Sequence, residues 1–245
     1  MTQQYSLADG PLPCTPTSSA SPAGLYRVGR DLINSRSAKR QAKGIEALRR
    51  AAKLGSVGAN EWLGAAYDYG CWGVAQDPKR SFTHYMYAAK AGSRGGEYHV
   101  GIFHLMGRGT ARNHREAVDW LRRAARKHDP DAMDALGDCY RYGKGVRRDP
   151  KKGFDLQLRA AKSGSALAKF SVSVAYSRGE GVAANKRKAF EWCLRAARSG
   201  VSDAAHNLGV YYETGSGVQR NEKKSRYWYD RAEATADGKA PARSR

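Results

Sequence analysis

The chain holds 245 residues with 43 Lys+Arg against 23 Asp+Glu, a formal net charge of +20, and is 41% hydrophobic and 27% charged. Those proportions are ordinary for a globular chain, and the length supports one or two domains. No apolar run approaches the ~18 residues that a helical bilayer span needs, which excludes a transmembrane protein, while the charge points to an acidic partner or simply to solubility.

From the N-terminus, residues 1–22 hold four of the eight prolines together with Thr15, Thr17, Ser18 and Ser19, the composition of a disordered tail. The opening MTQQYSLADGPLPC has neither the basic start nor the apolar stretch of a secretory signal. Cys14, Cys71, Cys139 and Cys193 form no CxxC pair. A disulfide framework or structural zinc site is therefore not expected, and a reducing cytoplasm is the expected compartment.

From residue 23 onward the chain repeats itself. Ala-Ala pairs stand at Ala51-Ala52, Ala88-Ala89, Ala124-Ala125, Ala160-Ala161 and Ala196-Ala197, at intervals of 37, 36, 36 and 36 residues. A Leu-Gly-like pair keeps the same intervals at Leu63-Gly64, Val100-Gly101, Leu136-Gly137, Val172-Ser173 and Leu208-Gly209. A glycine turn keeps them too, from Gly107-Arg108-Gly109 to Gly215-Ser216-Gly217, with Gly70-Cys71-Trp72-Gly73 one residue longer. Such a period marks a solenoid whose units bury their apolar faces only by stacking. A divergent first unit spans 23–55, five clear repeats span 56–235, and 236–245 reads as a frayed basic tail.

Each unit reads as two helices. In the cleanest copy Ala132, Leu136, Gly137 and Tyr140 share one helical face, and a turn glycine in the left-handed conformation ends the helix. The second helix starts at Asp77-Pro78 and Asp149-Pro150 in two repeats, an N-cap followed by a proline in the first turn. It stops at Gly55, Gly92, Gly164 or Gly200, with His128 as the exception. Small residues seven before each first alanine, such as Gly153 and Ala189, are expected to face the Leu-Gly glycine and let the helices cross closely. In repeat four Val172-Ser173 replaces Leu-Gly, which predicts the weakest interior junction there.

The pattern A-x-x-x-L-G-x-x-Y, then G-x-G-V, then A-x-x-W-x-x-x-A-A resembles the Sel-one-like repeat, a 36-residue relative of the tetratricopeptide repeat. The resemblance implies an all-α solenoid, a right-handed superhelix of about six αα-hairpins with the first helices lining the concave side. It also implies an adaptor role in protein complexes.

Nothing in the sequence suggests catalysis. No HExxH, GxSxG or P-loop pattern occurs, no two of the six histidines sit four apart, and a GxG turn that recurs in every clear repeat is structural. Neither cofactor nor metal is expected. Trp62, Trp120, Trp192 and Trp228 fall in register with the apolar faces and read as core.

Charge divides the two helices of each unit. The first helices of the five clear repeats sum to −5, whereas the six second helices sum to +19. One basic column on the second helices includes Arg50, Arg123, Arg159 and Arg195; a neighbouring one includes Arg126, Lys162 and Arg198. Cations near a helix C-terminus gain about 0.3–1 kcal/mol each from the macrodipole. Their density also suits an alternative partner, nucleic acid or another polyanion.

On the first helices, residues two and five either side of the packing leucine lie ~140–160° away from it. By the resemblance they line the concave groove. They include Glu61 and Asp68 in repeat one, Tyr98, Ile102 and Leu105 in repeat two, and Asp134 and Asp138 in repeat three. Repeat four contributes Phe170 and Val174, and repeat five His206, Val210 and Glu213. Repeats two and four are expected to expose apolar stripes between acidic ones, a seat for a protein or peptide with apolar anchors between basic residues.

Overall fold

The computed structural model describes residues 21–236, with side chains through 234, and among them are twelve helices and no strand. They form six hairpins: α1 (Pro22–Ile33) with α2 (Ala38–Lys53), α3 (Val57–Tyr69) with α4 (Pro78–Lys90), and α5 (Arg94–Met106) with α6 (His114–Arg126). Then come α7 (Pro130–Tyr142) with α8 (Pro150–Lys162), α9 (Ala166–Arg178) with α10 (Lys186–Arg198), and α11 (Ser202–Thr214) with α12 (Glu222–Ala236). Of the two predicted tails, residues 1–20 and 237–245 lie outside the described residues. Ser21 belongs to the first hairpin: its hydroxyl accepts from Gly24 N and Pro22 opens α1.

Local chemistry explains the helix ends. Asp77, Asn113, Asp149 and Asn185 cap α4, α6, α8 and α10 by accepting from backbone N–H groups of the first turn. Ser56, Ser93, Asp129 and Ser165 do the same for α3, α5, α7 and α9. His128 holds at φ 60° the left-handed conformation that Gly92 and Gly164 hold at the equivalent helix ends.

The second glycine of the turn has an inter-repeat role in repeats two to five, whereas a Cβ on Gly73 in the longer first turn would meet nothing within 4 Å. A Cβ on Gly109, Gly145, Gly181 or Gly217 would fall on the carbonyl oxygen of Pro78, His114, Pro150 or Lys186, the first residue of the preceding repeat's second helix. Each of these four turns thus docks backbone to backbone on the hairpin before it.

Within a hairpin, small residues set the crossing distance. A Cβ on Gly29 or Gly44 would come within 3.0 Å of the other's carbonyl oxygen, and Gly137 and Gly153 stand equally close. Elsewhere a hydroxyl bridges the crossing: Ser81 donates to Gly64 O at 2.8 Å and Ser225 to Gly209 O at 2.9 Å. Repeat four inverts the device, with Ser173 on α9 donating to Ala189 O at 2.8 Å. The serine expected to weaken that hairpin is therefore bonded across it.

The core runs the length of the array. Ala88, Ala124, Ala160 and Ala196 on second helices, and Ala59, Ala132, Ala168 and Ala204 on first helices, are fully buried. Trp228 is buried, while Trp62, Trp120 and Trp192 are only half-buried. First helices touch first helices of the next unit (α1 with α3, α5 with α7, α7 with α9), and no two second helices approach to that extent. The layer with the shorter spacing is the inner one, so the first helices form the inner face.

Candidate functional site

The inner face is built from the exposed side of α3, α5, α7, α9 and α11. Its acidic residues are more engaged than their spacing suggested. Asp68 is buried and bonded to Arg108 of the next turn at 2.6 Å, and Glu61 accepts from the Ser93 hydroxyl. Asp138 accepts from Gln157 Nε2 at 2.8 Å. Asp134 is buried, and neither its Oδ1 nor the Oε1 of Gln157 has a hydrogen-bond partner. Burial, and after it the charge of Asp138, pushes the Asp134 carboxyl up to about 7. At the far end His206, Val210 and Glu213 are exposed, with Glu213 accepting from Tyr229 OH at 2.7 Å.

The apolar stripes require a correction. Tyr98, Ile102 and Leu105 do not stand free; they are half-buried against the cluster that holds Leu121, Leu136 and Tyr140. Phe170 packs in the same way on the cluster around Leu208, and Val174 is half-buried. The short spacing between successive first helices draws these side chains into the inter-repeat contact. The more exposed apolar residues are Leu167 of α9, at 56% and five before the packing Val172, and three that lie one helical position further on: Tyr69, Met106 and Tyr142, with exposures of 70%, 55% and 50%. The latter three close α3, α5 and α7 at intervals of 37 and 36 residues, a periodicity visible in the sequence just before each turn glycine.

The outer face carries the basic columns. Arg50, Arg123, Arg126, Arg159, Lys162, Arg195 and Arg198 are all exposed. Two are braced: the guanidinium of Arg123 lies 4.5 Å from the Trp120 ring centroid, and that of Arg195 lies 4.5 Å from Trp192. Lys152, Lys188 and Lys224 likewise lie over Tyr140, Tyr176 and Tyr212 at 4.3, 5.4 and 5.4 Å. In repeat two both partners change together, to His104 and Glu116, whose Nε2 and Oε2 are 3.2 Å apart. Cys139 and Cys193 are buried free thiols that burial pushes up to about 11 and about 12.

The Sel1 repeat family model matches residues 58–93, 96–129, 130–165, 166–201 and 202–234. The chain belongs to the Sel1 repeat family. Among solved structures it is similar to a Sel1 repeat protein from Oxalobacter formigenes, with TM-score 0.82, 26% identity, and 89% of this chain and 88% of that one covered. It is also similar to c5321, a protective antigen of uropathogenic Escherichia coli displaying an SLR fold, with TM-score 0.72 and 26% identity over 88% of this chain and 46% of that one. Immunity protein Pa5087 from Pseudomonas aeruginosa shares the fold, with TM-score 0.61 and 21% identity over 90% of this chain and 84% of that one. A comparison with curated protein sequences finds no match. Sel1 repeat proteins are generally non-catalytic scaffolds for protein interaction. No helix among the described residues is long and apolar enough to cross a membrane.

Proposed function

We propose that this Sel1 repeat chain is a non-enzymatic cytoplasmic scaffold that holds a partner protein or peptide along its first-helix layer. One feature supports the reading above the others: the exposed stripe Tyr69, Met106 and Tyr142, which runs beside the acidic positions of α3 and α7. Contiguous exposed apolar side chains usually mark an interface. Tyr98, Ile102, Leu105, Phe170 and Val174 then shape the floor of the groove. Glu61, Asp138 and Glu213 favour basic residues in the ligand and set its register, while the buried Asp134 stays beneath the surface. A photo-reactive residue in place of Met106 or Tyr142 is expected to cross-link a protein in lysate of the native host, and one in place of Arg159 on the opposite layer is not. Cross-links from Arg159 alone would count against the groove.

A second reading, binding of nucleic acid or another polyanion on the outer layer, is favoured by the tryptophan-braced Arg123 and Arg195. A salt titration with generic duplex DNA distinguishes it, because phosphate contacts make log K fall steeply with log salt. Charge reversal at Arg123, Arg159 and Arg195 together is expected to remove such binding while helical content stays constant.

A further inference from the structure

Two departures from the array's own pattern, Arg147 and His128, meet an arginine shared only with the first hairpin at one place on the outer face. Where α4, α8 and α10 carry Met86, Leu158 and Leu194, α6 carries Arg122, an arginine that it shares with Arg49 of α2, which bonds the Tyr67 hydroxyl in the same way. Where others carry Ala75, Ala111, Ala183 or Gln219, the turn before α8 carries Arg147. Where others end the second helix with Gly55, Gly92, Gly164 or Gly200, α6 ends with His128 at φ 60°, a conformation that costs a residue with a side chain about 1 kcal/mol. Strain of this kind at a cavity rim is a mark of function more than of folding.

The three line two adjoining cavities along the seam between α6 and the α7–α8 hairpin. One, of about 380 Å³, has Arg122, Arg126, His128, Lys152 and Arg159 around an apolar floor that includes Met133, Leu136 and Leu156. The other, of about 710 Å³, is lined by Arg122, Arg147 and Arg148. Tyr140 stands between them, accepting from Arg122 Nη2 at 3.2 Å. Burial alone pushes its phenol up, yet Lys152 and Arg122 outweigh that and leave it below its ordinary value, a sign of positive potential at the seam. The acids nearby are few: Asp119, 3.3 Å from Arg122, and Asp149, whose carboxylate caps α8. Among the described residues Arg126, Arg147, Lys152 and Arg159 form no ion pair.

We infer that this seam binds a small organic phosphate, the phosphate held between the guanidinium groups of Arg122, Arg126 and Arg159 and the organic body seated on the apolar floor. Guanidinium forks match phosphate oxygens and bind them with charge-assisted hydrogen bonds. The floor favours an ester over the bare ion.

Calorimetric titration with AMP, phenyl phosphate and inorganic phosphate at low ionic strength tests this. The two esters are expected to bind more tightly than inorganic phosphate. Arg122→Leu, which installs the residue that Leu158 and Leu194 occupy in their own repeats, should weaken them by roughly tenfold or more. Arg187→Leu, which removes the same charge from α10, should leave them unchanged. His128→Gly should raise the thermal midpoint and weaken binding at once. If Arg122→Leu loses helical content, Arg159→Ala, at an exposed position of the same cavity, carries the same test. No binding of either ester at ~5 mM, or equal weakening by Arg122→Leu and Arg187→Leu, overturns the inference.

Discussion

Arg141 at the end of α7 pairs with Glu180 in the turn after α9, and this pair is the charge-reversed copy of Asp68 with Arg108 two repeats earlier. In both, the last turn of a first helix reaches the middle residue of the next repeat's glycine turn. Arg141 and Asp68 are the buried members, at 5% side-chain exposure each. The junction therefore demands opposite charges without specifying which side carries which. At the same position repeat two has Leu105 and repeat four Ser177, so only alternate junctions use it.

Breaking such a pair leaves one charge buried alone, which costs on the order of 3 kcal/mol. Arg141→Glu is expected to lower stability by about that amount. Adding Glu180→Arg should restore more than half of the loss, because the two positions couple. Chemical denaturation of the two singles and the double measures it. A double variant no more stable than Arg141→Glu would show that the contact carries no coupling.

Asp134 gives the array a pH dependence of known sign. Its carboxyl ionises at about 7 in the folded chain, raised first by burial and then by Asp138, which burial also raises. In the unfolded chain it ionises near ~3.9. Between those values the folded state holds a proton that the unfolded state releases, so this group's contribution is complete in acid and is lost as pH rises through about 7. Compared with the parent, Asp134→Asn should gain stability progressively from about pH 4 and level off above about pH 7, by on the order of a few kcal/mol. Melts of both proteins across that range give the difference directly; a gap that does not change with pH would contradict it.

The sequence made legible whatever is local or periodic: the hairpin register, the Asp77 and Asp149 caps, and the buried alanine of each pair. Contacts that depend on how far apart consecutive hairpins stand were not legible. Ile102 and Phe170 point away from their own packing residue, yet the next first helix is near enough to half-bury them. Asp68 reads as a solvated acid until Arg108, 40 residues on, comes to meet it. Ser173 reads as a lost glycine because the carbonyl that it bonds, Ala189 O, belongs to another helix. Tyr69, Met106 and Tyr142 were periodic but sat outside the positions chosen by angle from the leucine.

The two glycines of a turn should differ in what they tolerate, and repeat three provides the cleanest comparison. Gly143 and Gly145 both have positive φ, 70° and 72°, so alanine strains the backbone about equally at either, by roughly 1 kcal/mol. Their surroundings are unlike. A Cβ on Gly143 would approach the Arg148 Cβ at 3.3 Å, a contact that a small shift of the turn relieves. A Cβ on Gly145 would fall on the His114 carbonyl at the start of α6, a rigid backbone group of the preceding repeat. Relief there means moving repeat three away from repeat two. Gly143→Ala is thus expected to cost about the strain alone, and Gly145→Ala at least ~2 kcal/mol more. Because solenoid units hold together only through neighbours, the damage should also appear as lost cooperativity. Gly145→Ala should broaden the denaturation transition and speed amide exchange in α6 and α7, while α11 and α12 keep their protection. Equal losses for the two variants, with a transition as sharp as the parent's, would show that the turn does not dock on the helix start.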